Sequence, residues 1–203
     1  MRRIALAAAL GAIAIPALFM SSEAATTRQQ QQPARSAPQQ GQSAQSQPPA
    51  QGEATAPKRL AEAQGWTAYS APEKTGLLCY IVGQPTKSEP ANAKRDPVHL
   101  LVTHNSADKT ANVVSFIAGY AFKEGSDAEV DIGGKKFALF TKGDTAWARD
   151  AATDKAVVDA MLKGKQAVIK GSSARGTATT DTYSLAGFTQ VISEIDKACK
   201  VKR

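Results

Sequence analysis

The sequence predicts a mainly β fold, an antiparallel β-sandwich-like domain with two helices. Short runs rich in aromatic and β-branched residues alternate with prolines and turn residues, which is typical of strands. The adjacent glycines Gly133 and Gly134 separate two such runs, as in a tight hairpin. Apolar residues at helical spacing occur in two segments, one of them at the C-terminal end.

The N-terminus has the pattern of a secretory signal peptide. Arg2 and Arg3 precede an apolar run over 4–20, and small residues follow it. We expect residues 1–25 to be removed by cleavage after Ala24 or Ala25. An uncleaved membrane anchor is the alternative, because the run approaches the roughly 17-residue lower limit for spanning a bilayer. The expected location is the periplasm, with outer-membrane association or secretion left open.

Residues 26–57 predict a disordered Gln/Pro-rich linker. The segment contains no aromatic residue, leucine, isoleucine or valine, so it lacks the apolar area that offsets chain entropy. Its prolines favour extended conformations. A tether that holds the domain away from an attachment point and a tolerated low-complexity insertion both fit this composition.

Residues 58–203 have the length of one domain and carry an excess of positive charge. The chain has 25 basic and 18 acidic residues; four of the former and two of the latter precede residue 58, which leaves a net charge of +5. Such an excess favours an anionic envelope component as partner, with an envelope protein as the alternative and peripheral membrane association left open. Nucleic acid is not expected as a partner, because export separates the protein from the nucleic acid of the cell.

Strand-like runs fill most of this domain. Two hairpins are predicted, one with a type I′ turn at Gly133 and Gly134, and one around 174–176. The predicted strands cover 66–70, 76–84, 98–105, 112–120, 129–132, 136–141, 145–149, 166–173 and 177–184.

Two helices interrupt the strands. The first is predicted over 154–163, with Thr153 as N-cap and a left-handed Gly164 at its end. The second, over 187–200, places Cys199 on its apolar stripe, so packing on the sheet would bring it to the strand that contains Cys79. Because these are the only cysteines of an exported chain, we predict a disulfide between them.

No residue pattern predicts catalysis, a cofactor or a metal site. His99 and His104 are an odd number of positions apart on one strand, so they are expected on opposite faces of the sheet. The 171–176 segment lacks the glycine spacing and the following helix of a nucleophile elbow. Phosphate-cradling and dinucleotide-binding motifs are absent from the sequence.

A hydroxyl-rich segment around Arg175 is the candidate ligand surface. An exposed Arg175 with Thr177, Thr179 and Asp181 would suit an anionic or sugar ligand. The alternative is that these hydroxyl groups satisfy the backbone and neighbouring strands. Trp66 and Trp147 are predicted to pack in the core or between strands, with surface anchoring as the alternative.

Several of these residues, taken in order, resemble the invasion-associated locus B family of alphaproteobacteria. The resemblance covers 65–199 and rests on Trp66, Cys79-Tyr80, the long run over 170–185 and the final Cys199. It implies an exported, envelope-associated protein with a β-sandwich-like domain and no established catalytic residues, in a family named for host-cell entry. This chain lacks the additional closely spaced cysteine pair of better-known members, which places it in a divergent branch.

The function predicted from the sequence is that of a non-catalytic, exported envelope protein, a binding or structural module involved in surface interaction or host-cell invasion. A periplasmic chaperone or inhibitor that captures a partner strand is one alternative, because an open sandwich has edges. An envelope-glycan enzyme is another, and it would need a polar cleft with paired carboxylates such as Asp127, Asp131 or Asp144.

Overall fold

The computed structural model describes residues 56–203. The predicted signal peptide and nearly all of the predicted linker lie outside the described residues. The described part contains two helices and eleven strands: β1 (Lys58–Ala63), β2 (Trp66–Glu73), β3 (Gly76–Gly83), β4 (Lys87–Glu89), β5 (His99–Asn105), β6 (Thr110–Ile117), β7 (Asp127–Ile132), β8 (Lys135–Lys142), β9 (Thr145–Trp147), α1 (Ala151–Lys163), β10 (Gln166–Ser172), β11 (Ala178–Ser184) and α2 (Phe188–Cys199).

All the strands join one antiparallel sheet, in the order β1-β2-β3-β5-β6-β9-β8-β7-β10-β11-β4. The sheet curls so that β2 and β11 come together. This is shown by a hydrogen bond of 2.8 Å from the indole Nε1 of Trp66 in β2 to the carbonyl oxygen of Ser184 in β11. Strands near opposite ends of the order are therefore in contact. The mainly antiparallel β fold with two helices is confirmed.

The core lies inside the curl and is closed by α2. Trp66 is 1% exposed and packs edge-on against Phe188 of α2, with ring centroids 5.1 Å apart, and against Tyr183 of β11 at 6.3 Å. The other buried residues of α2 are Val191, Ile192, Ile195 and Cys199. The predicted apolar stripe therefore faces the sheet, where α2 contacts β1, β2, β3 and β5.

The predicted disulfide is present between Cys79 of β3 and Cys199 at the end of α2. A polar contact lies beside it: the buried His104 of β5 pairs through Nε2 with Asp196 of α2 at 2.8 Å. Its Nδ1 accepts from the backbone N–H of Asn112 at 3.0 Å, so Nε2 is the nitrogen that donates to the carboxylate. His99 lies on the opposite face of β5, as its odd separation from His104 predicts.

Helix α1 begins three residues before the predicted start. Asp150, not Thr153, is the N-cap, because the Asp150 carboxylate accepts from the backbone N–H of Thr153 at 2.7 Å. Gly164 has φ −81°, so the predicted left-handed conformation is wrong. Gly164 is needed for space instead, since a Cβ there would lie 2.6 Å from the Ile132 side chain.

A buried carboxylate connects α1 to the sheet. Asp154 of α1 accepts from the backbone N–H of Val114 in β6 at 2.8 Å, next to the point where the short β9 ends. Burial raises the pKa of Asp154. The Asp154 carboxylate thus accepts the hydrogen bond that a longer β9 would otherwise accept from β6.

The sequence patterns did not predict β1 and β4, the two edge strands. The type I′ hairpin is confirmed, with φ of 62° at Gly133 and 85° at Gly134. The second predicted hairpin is also present, but its connection is longer and covers 173–177. Neither α1 nor α2 has the length and apolarity to cross a bilayer, and these are the helices of residues 56–203.

Candidate functional site

A cleft of about 840 Å³ lies where three segments distant in sequence meet. The segments are the 90–96 loop before β5, residues 119–121 after β6 and the 173–177 connection between β10 and β11. The middle segment is hydrogen-bonded to both others: Gly119 O accepts from Asp96 N at 2.9 Å, and Ala121 O accepts from Ala174 N at 2.8 Å. Backbone bonds therefore fix the two walls relative to each other.

A buried ion pair lies between the cleft and the core. Arg95 Nη1 donates to Asp181 Oδ2 at 2.9 Å and Nη2 donates to Oδ1, while Ser88 Oγ donates to Oδ1 at 2.6 Å. The side chains of Arg95 and Asp181 are 6% and 0% exposed. The hydrogen bonds to Asp181 raise the pKa of Arg95, so the guanidinium keeps its charge despite burial.

Tyr120 joins this pair to the wall of the cleft. Its ring lies under the Arg95 guanidinium, 5.9 Å from the carbon atom to the ring centroid. Its hydroxyl is hydrogen-bonded to the hydroxyl of Thr179 at 2.5 Å. Burial raises the pKa of Tyr120, so the phenol remains protonated at neutral pH.

Two glycines make this close arrangement sterically possible. Gly119 has φ +71°, and a Cβ there would collide with the Asp96 backbone. A Cβ at Gly171 would lie 2.8 Å from the Tyr120 hydroxyl and 2.7 Å from the Phe122 ring. The approach of the 90–96 loop and the position of Tyr120 therefore depend on residues without side chains.

The rim of the cleft carries an excess of positive charge. Lys94 and Arg175 are exposed lining residues, and Asp96 is the acidic one. Asp181 neutralises Arg95, so Lys94 and Arg175 are the cations available to a ligand. Asn92 and Thr177 add exposed polar groups to the same lining.

The four residues of the predicted ligand surface are close together but differ in exposure. Arg175 and Thr177 are exposed and line the cleft, and Thr179 lines it as a buried residue. Asp181 is fully buried behind Arg95 and lies outside the lining. Its influence on a ligand would therefore pass through Arg95.

Arg95 and Tyr120 were not predicted as site residues. Asp181 and Thr179 occupy inward positions of β11, two residues apart, alternating with outward ones. A carboxylate at an inward strand position needs a buried cation or several hydrogen-bond donors. The inward position of Asp181 therefore indicates that it has such a partner. It does not indicate which arginine of the chain is the partner.

The residues considered for metal binding or glycan hydrolysis lie elsewhere. Asp127 pairs with Arg149 at 2.7 Å, Asp131 accepts from Gly134 N, and Asp144 accepts from the Thr145 hydroxyl, so each carboxylate has a structural contact. None of the three lines the cleft. Over residues 56–203, no group of three or more histidine, cysteine or acidic residues is placed to hold a metal ion.

A family model described as invasion associated locus B (IalB) protein matches residues 66–196, nearly two thirds of the chain. The chain belongs to the invasion-associated locus B family. The matched range runs from Trp66 to Asp196, so this IalB domain contains all three segments of the cleft. No curated protein and no solved structure matches the chain.

Proposed function

We propose that this IalB protein is a non-catalytic, exported binding module of the cell envelope that holds an anionic glycan in the cleft. The observation that carries the proposal is the pair of exposed cations, Lys94 and Arg175, on opposite walls of a cleft with polar lining. The ligand chemistry is a sugar that bears phosphate or carboxylate groups. Lipopolysaccharide phosphates and peptidoglycan carboxylates are the two envelope sources of that chemistry.

The cleft walls favour binding without rearrangement. Backbone hydrogen bonds from Gly119 and Ala121 hold both walls, and the Arg95–Asp181 pair anchors the 90–96 loop to β11. A site that is already formed loses less conformational entropy when a ligand binds.

Two further properties support an envelope location. The disulfide between Cys79 and Cys199 is of the kind that persists in oxidising compartments. The net charge of +5 over residues 58–203 attracts the domain to anionic surfaces.

The alternatives have less support from the geometry. Strand capture would use an edge, but β4 has three residues and β1 carries Lys58, Arg59 and Glu62 at exposed positions, both typical of protected edges. Glycan hydrolysis needs two carboxyl groups flanking the scissile bond, whereas Asp96 is the one acidic residue of the cleft lining.

The test measures the binding of purified mature protein to lipopolysaccharide micelles and to soluble peptidoglycan fragments. Calorimetry at low and at moderate salt gives the affinity in each case. We expect the double variant Lys94→Glu/Arg175→Glu to lose binding at least about tenfold, because two attractions become repulsions. The parent should also bind more weakly as salt rises.

Lys74→Glu/Lys109→Glu is the charge-matched control, since these lysines are exposed in the β2–β3 and β5–β6 turns and neither is a lining residue of the cleft. It should bind like the parent. If the double variant binds as tightly as the parent, the cleft is not the binding site. If the control loses as much affinity as the double variant, binding depends on net charge and not on the cleft.

A further inference from the structure

A carboxylate without an ion-pair partner lies among the cations of the cleft. Lys94, Asp96 and Arg175 are its exposed charged lining residues. None of the ion pairs within residues 56–203 includes any of these three side chains. The Asp96 carboxylate is therefore as available to a ligand as the two cations are.

The backbone at Asp96 is held in place from three directions. Asp96 N donates to Gly119 O at 2.9 Å. The preceding Arg95 is attached to Asp181 of β11, and the following Pro97 favours an extended backbone at Asp96. The position from which the Asp96 side chain starts is therefore fixed relative to the cleft.

The inner part of the cleft adds no further net charge. Arg95 is neutralised by Asp181, and the hydroxyl groups of Tyr120 and Thr179 are hydrogen-bonded to each other. Discrimination by charge is thus left to the exposed rim, which carries two cations and one carboxylate. A ligand that complements this rim carries both signs of charge, with its anionic groups in excess.

We propose that Asp96 determines the specificity of the cleft, by binding an ammonium group of a ligand whose anionic groups pair with Lys94 and Arg175. This role rests on the proposed function and selects one class of anionic glycan. The class is a glycopeptide that carries a free amine beside its carboxylates. Peptidoglycan fragments with a diamino acid in the stem peptide have this chemistry.

The cleft has room for such a ligand. Its volume of about 840 Å³ lies within the roughly 300 to 1,000 Å³ of small-molecule sites. Lys94 and Asp96 belong to the 90–96 loop, whereas Arg175 belongs to the 173–177 connection on the other wall. A ligand with an amine and carboxylates can therefore contact both walls at once.

The same carboxylate disfavours ligands that carry negative charge alone. Specificity is a difference between two affinities, and a group that repels the wrong ligand increases that difference. A cluster of phosphates that reached both Lys94 and Arg175 would share the cleft with Asp96 and be repelled by it. Asp96 therefore weakens the binding of lipopolysaccharide and strengthens the binding of the glycopeptide.

The test is calorimetry of purified mature protein with two matched probes. One probe is a disaccharide–tripeptide muropeptide with a free side-chain amine, and the other is the same muropeptide after acetylation of that amine. For the parent we expect acetylation to lower the affinity about fivefold, because it removes the positive charge that Asp96 binds. Asp96→Asn should bind both probes with equal affinity. It should also bind lipopolysaccharide micelles more tightly than the parent does, because the repulsion is removed.

Glu124→Gln is the matched control, since Glu124 is exposed and is not a lining residue of the cleft. It changes the net charge as Asp96→Asn does, and it should distinguish the two probes as the parent does. Circular dichroism of both variants establishes that they are folded.

Two results would overturn the role of Asp96 and leave the proposed function in place. One is a parent that binds both probes equally well, which would leave a sugar hydroxyl as the group that Asp96 binds. The other is a loss of affinity on acetylation that is as large in Asp96→Asn as in the parent. A parent that binds neither the muropeptide nor lipopolysaccharide would instead remove the proposed function, and the role of Asp96 with it.

Discussion

Asp181 is the residue on which the cleft depends most. Its two carboxylate oxygens accept three hydrogen bonds from side chains, two from Arg95 and one from Ser88. The residue is 0% exposed, so these contacts replace its hydration entirely. The 90–96 loop is thereby attached to β11 by charge, in addition to the backbone hydrogen bond between Asp96 and Gly119.

Breaking this pair from one side should be strongly destabilising. We expect Asp181→Ala to lower the free energy of unfolding by about 3 to 5 kcal/mol, because it leaves the buried Arg95 guanidinium without its counter-charge. The measurement is the midpoint of urea denaturation, followed by tryptophan fluorescence.

The double variant Arg95→Met/Asp181→Leu is the matched control, because it removes both charges and keeps apolar volume. It should recover a large part of the lost stability. An Asp181→Ala midpoint equal to that of the parent would show that the pair contributes nothing to folding.

At this scale the sequence predicted three of the residues that line the candidate cleft. The group of Arg175, Thr177 and Thr179 could be identified because hydroxyl-rich hairpins with an arginine form a local pattern. The Arg95–Asp181 contact joins residues 86 positions apart, and no local pattern indicates such a partner.

Among the elements, α2 is attached to the sheet by a covalent bond and by a carboxylate. Asp196 accepts from His104 of β5 and from Arg203 at the C-terminus. Burial alone would raise the pKa of Asp196, but the hydrogen bonds from His104 and Arg203 outweigh it and lower that pKa below the ordinary value.

The lowered pKa makes the attachment of α2 dependent on pH. A carboxylate with a depressed pKa contributes stability that is fully present above the unfolded-state value of about 3.9, and that is lost as pH falls through the folded-state pKa. We expect Asp196→Asn to melt at a lower temperature than the parent at pH 6, and the difference to shrink below about pH 4. Thermal denaturation across this range is the measurement.

Glu194→Gln serves as the control on the same helix, since Glu194 pairs with Lys197 at the surface. Its melting temperature should stay close to the parent at each pH, because exposed pairs contribute little. A constant difference between Asp196→Asn and the parent across the whole range would contradict the role of ionised Asp196.

Elements with a strong local pattern were predictable and those without one were not. The alternation in β5 and the paired glycines between β7 and β8 are sufficient to predict a strand and a hairpin. Strand β4 has three residues and exists through pairing with β11, almost a hundred positions later. Strand β1 reads Lys-Arg-Leu-Ala-Glu-Ala, which has no alternation of period two.

For the molecule as a whole, the Cys79–Cys199 bond closes most of the domain into one covalent ring. The two residues are 120 positions apart. The chain-entropy model assigns such a ring an upper estimate of about 4 to 5 kcal/mol. Stability of this size is a large share of what a typical domain has.

Removing the disulfide should lower stability without changing the fold. We expect Cys79→Ser/Cys199→Ser to remain folded under oxidising conditions with a markedly lower melting temperature, and the amide hydrogens of α2 to exchange first. Calorimetry and hydrogen exchange are the measurements. The parent with its disulfide reduced should melt at the same temperature as the double variant. Equal melting temperatures of the oxidised parent and the double variant would show that the disulfide does not stabilise the domain.

The order of strands in the sheet is the part of the fold that local patterns leave open. The sequence predicts an antiparallel sheet, but not that β11 pairs with β4 or that Trp66 bonds Ser184. These contacts depend on the packing of all the elements together, through the shared core around Phe188 and Tyr183.

The covalent ring also has a mechanical consequence. The cleft residues from Pro90 to Thr179 all lie between the two cysteines, whereas β1, β2 and the start of β3 precede Cys79. A pull at the N-terminal end, against a ligand held in the cleft, can peel away residues up to 78 before tension reaches the disulfide. Beyond that point the disulfide divides the load between both branches of a closed loop, and this loop contains every residue that lines the cleft.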